Sequence, residues 1–261
     1  MTGTVHPTAI VQATDLGARC VVREYASVDV DVSLGDDVEV GPGARILRAV
    51  RIERSATIGA NATLLTGSSV GRGAVVAPGS VVESDVPPWA IVRGSPARIV
   101  GYVDTLPVAS TTTLVDGATV EEPTPTAVAG VVLHPLARAR DLRGSLAALE
   151  FDALPFAPQR VFTVYGVPDE SVRGAHAHRE CSQLLVCASG EVNAVADDGV
   201  TRQEFRLTSP TVGLLVPPLT WSMQYGYSSD AVLVVLAELP YDPDDYIRDY
   251  EEFVEIVAAS G

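Results

Sequence analysis

"VGPGARILRAVRIERSATIGANATLL", residues 40–65, carries an aliphatic residue at every sixth place: Val40, Ile46, Ile52, Ile58 and Leu64. The frame runs back through Leu34, Val28, Val22 and Leu16 to Ile10, and forward through Val70 and Val76 to Val82. Four places after each comes a small residue or Val, as at Cys20, Ala26, Val32, Ala44, Ala56, Ala62, Ser68 and Ala74. Gly often follows the aliphatic position, in "LGARCV", "VGPGAR", "IGANAT" and "VGRGAV". A period of six matches neither the 3.6 of a helix nor the simple alternation of a long strand. It suits a triangular prism in which each hexad supplies one short strand and one corner. The aliphatic residue fills the interior, the small one fits the crowded corner, and Gly or Asn takes the turn geometry.

This stretch resembles the left-handed parallel β-helix of the hexapeptide-repeat acyltransferases. The likeness spans about residues 5–103, from "HPTAIV" to "DVPPWAIVRGSPARIVGYV", a closing run similar to that of sugar N-acetyltransferases. The resemblance implies threefold association, and in working enzymes a long loop through the prism with a His or Asn near the acyl acceptor. No loop interrupts the frame here, His6 precedes it, and Asn61 sits in the corner-type "IGANA". The expectation is therefore a trimerising scaffold without acetyltransferase activity. The alternative is a bifunctional enzyme that also acetylates an amino sugar.

Composition narrows the rest. Of 261 residues 47% are hydrophobic, enough for a sizeable core. All 18 basic residues are Arg, which removes Schiff-base and P-loop lysine chemistry and leaves Arg, backbone N–H groups and helix ends to hold an anion. A net charge of −15 has the wrong sign for nucleic acid or an anionic membrane. Cys20, Cys181 and Cys187 have neither disulfide nor zinc spacing, and no signal peptide or membrane-length apolar run is present. A cytoplasmic protein is expected.

Residues 104–130, rich in Thr, Pro and Ala, read as a linker between a first domain, 1–103, and a second, 131–261, with one short strand near Thr113–Val115. The second domain alternates apolar runs with Gly, Pro and Asp turns, among them "DDG" at 197–199. Near its end Asp242, Pro243, Asp244 and Asp245 predict a helix start. Tyr246, Ile247, Tyr250, Phe253, Val254 and Val257 would then form the apolar face. The fold class is all-β: a left-handed parallel β-helix, then a cupin-type jelly roll with a C-terminal helix.

"RGAHAH", 173–178, is the chemical centre of the second domain. Gly174, His176, His178 and Gly190 partly match a cupin metal motif. Gln183 stands where an acid is usual, however, Glu180 is out of register, and residues 214–228 hold no His. Two imidazoles and one displaced carboxylate make a poor metal site, so no metal and no cofactor are expected. Proton transfer fits better. Residues two apart on a strand share a face, and imidazole titrates near neutrality.

Together "RGAHAHRECSQLLVCASGEV", "LTSPTVGLLVPPLTW" and "YDPDDYIRDYEEF" resemble the dTDP-4-keto-6-deoxyglucose 3,4-ketoisomerases, from about Val131 to Ala258. The resemblance implies a cofactor-free shift of the sugar carbonyl from C4 to C3, with His176 and His178 as the acid/base pair. Tyr165 would relay a proton or bind the sugar, and Arg160 and Arg173 would bind the diphosphate. Gln183 would orient a His or bind the sugar, Trp221 and Tyr225 would wall the pocket or stack on thymine, with core packing as the alternative, and Arg179 would bind substrate or else face solvent. Arg143, in "DLRGSL", would influence which face of C4 is protonated, with Ser222 as its apparent counterpart. The implied partners are a dTDP-linked keto-sugar and further copies of the chain, as a trimer or dimer of trimers. A nucleotide-sugar sensor without catalysis and a metal-dependent cupin oxygenase are the competing readings.

Overall fold

Hexads from Thr4–Val5 to Val81–Val82 form two-residue strands that stack in parallel into three sheets, as a prism requires. The computed structural model describes residues 3–103, 122–142, 144–168 and 171–260. It contains two compact units, Met1–Asp104 and Thr105–Gly261. Along each sheet of the first unit, strands repeat at one coil of the chain. Thr57 pairs with Glu39 on one side and Val75 on the other, and the inward Ile58 with Val40 and Val76. These inward residues are fully buried, as are Ile46, Ile52 and Leu64 on the other two sheets. Complete burial of such a side chain stabilises by about 1.5–3 kcal/mol, and the coils repeat that gain.

Two details differ from the sequence expectation. The hexad frame begins at Leu16, not Ile10. Ile10 pairs with Ser27 and Val11 with Val28, so the first coil is one residue short, and Val11 takes the inward place. Ile10 points outward and is 64% exposed. Two adjacent aliphatic residues hide such a slip from pattern reading. The second concerns glycine. Gly and Asn take the left-handed corner as expected, at Gly43, Gly67, Gly73, Gly79 and Asn61, but Arg19, Tyr25, Asp31, Asp37, Ala49 and Ser55 take the same place, three after the aliphatic residue. The glycine immediately after the aliphatic residue serves coil stacking instead. A Cβ on Gly17 would lie 2.4 Å from the Gly35 backbone, and one on Gly59 would lie 2.5 Å from the nitrogen of Pro78. The prism closes with Ala90–Gly94, which pairs antiparallel with Ala97–Tyr102.

The second unit is a sandwich of two antiparallel sheets. Its strands are β1 (Thr124–Pro125), β2 (Val132–Pro135), β3 (Ala137–Asp141), β4 (Gly144–Ala148), β5 (Arg160–Tyr165) and β6 (Arg173–His178). After these come β7 (Gln183–Ser189), β8 (Val192–Asp197), β9 (Arg202–Leu207), β10 (Val212–Val216), β11 (Trp221–Tyr225), β12 (Val232–Ala237) and β13 (Tyr246–Ile247). One sheet has the order β1-β2-β10-β7-β12-β5, the other β9-β8-β11-β6-β13. Leu185, Leu214, Leu233 and Val235 from the first meet Val192, Ala194, Phe205 and Leu207 from the second in a shared core. The architecture is cupin-like.

Residues 104–121 of the expected linker, with the strand expected at Thr113–Val115, lie outside the described residues. From 122 onward the chain is part of the sandwich: β1 pairs with β2, and Val128 is buried. The expected terminal helix starts later than its acidic cluster suggests. Pro243–Asp245 is a single 3-10 turn capped by Asp242, Tyr246–Ile247 is a strand, and helix α1 spans Tyr250–Ser260. Pairing with β6 outcompetes the local helix signal, because Ala177 and His178 need partners along an otherwise open edge. No helix among the described residues is long and apolar enough to cross a membrane. All three cysteines are free and buried.

Candidate active site

His176 and His178 reach the same cavity, but not by simple alternation. Gly174 and Ala175 both have positive φ, 76° and 53°, and the pairing of β6 with β11 shifts between Gly174 and His176. This bulge bends the strand, so that Ala177 and His178 leave β11 and pair with β13. Gly174 suits the position, since a Cβ there would meet the Ser222 carbonyl oxygen at 2.8 Å. The two imidazoles meet edge to face, their centroids 5.0 Å apart. The Tyr246 ring lies against both, at 4.8 Å from His176 and 4.4 Å from His178.

The cavity has a volume of about 220 Å³. Of the residues expected at the site, it gathers His176, His178, Arg160, Arg173 and Gln183. Arg160 is flanked by two rings, Phe162 at 4.6 Å and Tyr241 at 5.0 Å, which hold the guanidinium at the mouth. Four expected residues fall elsewhere. Tyr165 is 71% exposed, because on β5 the even-numbered Arg160, Phe162 and Val164 face the cavity. Trp221 is only 2% exposed but packs on Tyr250 and Phe253 of the terminal helix. Tyr225 is buried on the same face and donates its hydroxyl to Glu204. On β11 it is Ser222 and Gln224 that look into the cavity. Arg179 pairs with Glu252 at 2.5 Å on the surface. Arg143 lies outside the described residues.

Hydrogen bonds distinguish the two histidines. Nδ1 of His176 donates to the Gly174 carbonyl at 2.9 Å, which puts the ring's lone pair on Nε2, and the residue lines the cavity. Burial lowers its pKa to about 4, so the ring is neutral at pH 7. His178 is engaged at both nitrogens. Nδ1–H donates to Asp245 Oδ2 at 2.6 Å, and Nε2 accepts from the Gln183 amide at 2.9 Å. Burial lowers its pKa too, and the Asp245 carboxylate works in the opposite direction. Asp245 is further fixed by the Glu180 backbone N–H at 2.7 Å, and despite burial its net pKa is lowered. A neutral imidazole and a His–Asp pair therefore sit side by side in one pocket.

Comparisons with known proteins place the second unit in a family. Residues 129–258 match the family model described as "FdtA: WxcM-like, C-terminal". A TDP-4-oxo-6-deoxy-α-D-glucose-3,4-oxoisomerase from Aneurinibacillus thermoaerophilus is 44% identical over 119 residues, 45% of this chain and 86% of the relative. The chain belongs to the FdtA family. Two structures of the QdtA 3,4-ketoisomerase from Thermoanaerobacterium thermosaccharolyticum superpose on the same unit. A double mutant in complex with TDP is 30% identical, with a TM-score of 0.50 over 51% of this chain and 97% of that one. A His-to-Asn mutant in complex with TDP-4-keto-6-deoxyglucose is 29% identical, also with a TM-score of 0.50, over 51% and 96%.

Within the FdtA unit, sequence reasoning missed Asp245 and Tyr246, which contact the histidines from nearly seventy residues away. Their local signals, a capping acid and a helical apolar face, pointed to a helix. The usable clue was that "DDYI" ends in two residues of strand type directly after an acidic turn.

Proposed function

We propose that the second unit isomerises a dTDP-linked 4-keto-6-deoxyhexose to the 3-keto sugar by proton transfer alone. The observation that carries this reading is the half-buried, neutral His176 beside the His178–Asp245 pair, in a cavity with Arg160 and Arg173. The 44% identical relative is named for this reaction. Two protons must move: one from C3 to C4, the other from the C3 oxygen to the C4 oxygen. His176 Nε2 removes the acidified C3 hydrogen, giving an enediolate with the negative charge on the C4 oxygen. His178 moves the hydroxyl proton between the oxygens, with Asp245 offsetting the transient imidazolium charge. The His176 imidazolium then protonates C4. Arg160 and Arg173 bind the diphosphate, since guanidinium forks match its oxygens.

The prism contributes assembly rather than chemistry. His6 is exposed and bonded to Thr8, and Asn61 occupies a left-handed corner. The β3–β4 hairpin is exposed along both strands and pairs with no other strand among the described residues. An isolated two-stranded hairpin is marginal in water, so a second copy of the chain is its natural cover. The setting is the reducing cytoplasm, which suits three free thiols.

NMR of dTDP-4-keto-6-deoxyglucose in deuterated water is the test. Label at C4 of the 3-keto product and at C3 of the recovered 4-keto sugar is expected, and His176→Asn should abolish both. Tight sugar binding with no exchange would leave a sensor. Turnover of acetyl-CoA with a dTDP-3-amino sugar would overturn the inactive prism.

A further inference from the structure

Where Nδ1 of His178 meets Asp245, three ligand-bearing side chains of different chemistry are close together. His178, Cys181 and Asp245 each offer one ligand atom, all within 4.8 Å of one another. We propose that these residues bind a thiophilic divalent cation, Zn²⁺ above all, and that its binding switches the isomerase off. The inhibitory half rests on the function proposed above; the binding half stands without it.

The donor set is selective. Imidazole and thiolate favour zinc over magnesium or calcium, the carboxylate completes three ligands, and a fourth tetrahedral position stays open for water. Zinc bonds of this kind place ligand atoms about 3.3–3.8 Å apart. The 2.6 Å contact between His178 and Asp245 therefore opens while the thiol closes in. Both segments are already pinned together. The Arg179 N–H donates to the Asp245 carbonyl at 2.8 Å and the Glu180 N–H to its carboxylate at 2.7 Å, while Cys181 follows in the turn before β7. His176 takes no part, so this is not the site that a His-x-His pair in a cupin would suggest.

Proton accounting explains why occupancy would inhibit. In the free protein the proton of His178 is on Nδ1, given to Asp245. A cation at Nδ1 takes that lone pair, and the proton moves to Nε2. His178 can then no longer accept a proton from a sugar hydroxyl, and Asp245 no longer offsets its charge. Cys181 loses its thiol proton, so one proton is released per cation bound. Burial holds this thiol above its usual pKa, and the charges of Asp245 and Glu238 add to that. Arg160 and Arg248, which face His178, oppose the incoming cation.

Co²⁺ titrated into the metal-free full-length protein tests the site directly. A thiolate-to-cobalt absorption band in the near ultraviolet is expected, displaced by Zn²⁺ and absent from Cys181→Ala and from the nearly isosteric Cys181→Ser. No band in the native protein, or a band that survives both substitutions, overturns the site. In the isomerase assay Zn²⁺ should inhibit reversibly, relieved by a chelator. The half-inhibiting concentration should rise at least about tenfold in Cys181→Ala. Zinc bound with undiminished turnover overturns the inhibitory role. A protein that gives the band but never converts the keto-sugar keeps the metal site and sinks the proposed reaction instead.

Discussion

The prism and the sandwich are both built from short aliphatic strands, yet they encode their folds at different ranges. In the prism every strand meets a copy of its own pattern one coil away, as Ile58 meets Val40 and Val76. In the sandwich the decisive pairs are remote and unlike, as His178 with Asp245 or Asp197 with Tyr250. Repetition makes a structure readable and redundant. Unlike remote pairs make it specific, and they are where chemistry can be placed. A substitution should therefore act locally and additively in the prism, but through networks in the sandwich.

The largest expected effect is on the chemistry. His176→Asn should lower kcat/KM by about 10³-fold or more, as loss of a positioned proton carrier does, with substrate affinity changed little. Single-turnover kinetics with a separate binding isotherm would check this. If His176→Asn keeps kcat within tenfold, the sandwich is no more specialised than the prism, and the contrast between the units fails. Asp245→Asn should fall between the two, since it leaves His178 in place but removes the charge that offsets its imidazolium.

Next comes Ile58→Ala. Ile58 is fully buried between Val40 and Val76, and the truncation should cost about 2–5 kcal/mol of prism stability. Gly59→Ala should be comparable, because its Cβ would sit 2.5 Å from Pro78 and the coils would have to separate. Both should lower the unfolding temperature of the first unit while kcat stays unchanged. A parallel loss of kcat would show that the units are coupled.

How much could be read in advance follows the same line. Thirteen hexads made the prism legible, down to Gly43 and Asn61 in corners; what they did not show was the single-residue slip at Ile10 and the stacking role of the glycines that directly follow the aliphatic residue. Neither leaves a trace in the pattern, since Val11 is as apolar as Ile10 and coil spacing is a three-dimensional quantity. In the sandwich the histidine pair, Arg160, Arg173 and Gln183 were legible because they lie on strands adjoining the motif. Trp221 and Tyr225 were chosen for their chemistry, but strand parity turned them away and put Ser222 and Gln224 in the cavity. Asp245 was unreadable for the opposite reason. A strong local helix signal concealed a long-range pairing.

The pH dependence of stability gives a smaller effect in the second unit. Burial holds the folded pKa of His176 at about 4, against 6.5 for a free imidazole. Between those values the unfolded chain binds the proton and the folded one does not. Stability is then full above pH 6.5 and is lost as pH falls toward 4, by up to roughly 3 kcal/mol from this residue. The burial-lowered pKa of His178 has the same sign. Unfolding of the second unit should shift to lower denaturant across this window, and His176→Asn should flatten the slope.

The smallest expected effect tests parity itself, through two tyrosines of different standing. Tyr165 has the better motif position, but its side chain leaves β5 on the solvent side. Tyr246 was read as a packing residue, yet its ring touches both imidazoles. Tyr165→Phe should leave kcat/KM within twofold, as a surface change away from partners does. Tyr246→Leu should lower kcat several-fold, because the two imidazoles lose the flat surface that fixes their edge-to-face angle, and it should do so without weakening diphosphate binding. Equal effects at the two positions would mean that alternation along β5 does not decide which tyrosine serves the site. A larger effect at Tyr165 would mean that the solvent side of β5 is covered in the working assembly by a second copy whose pocket it completes.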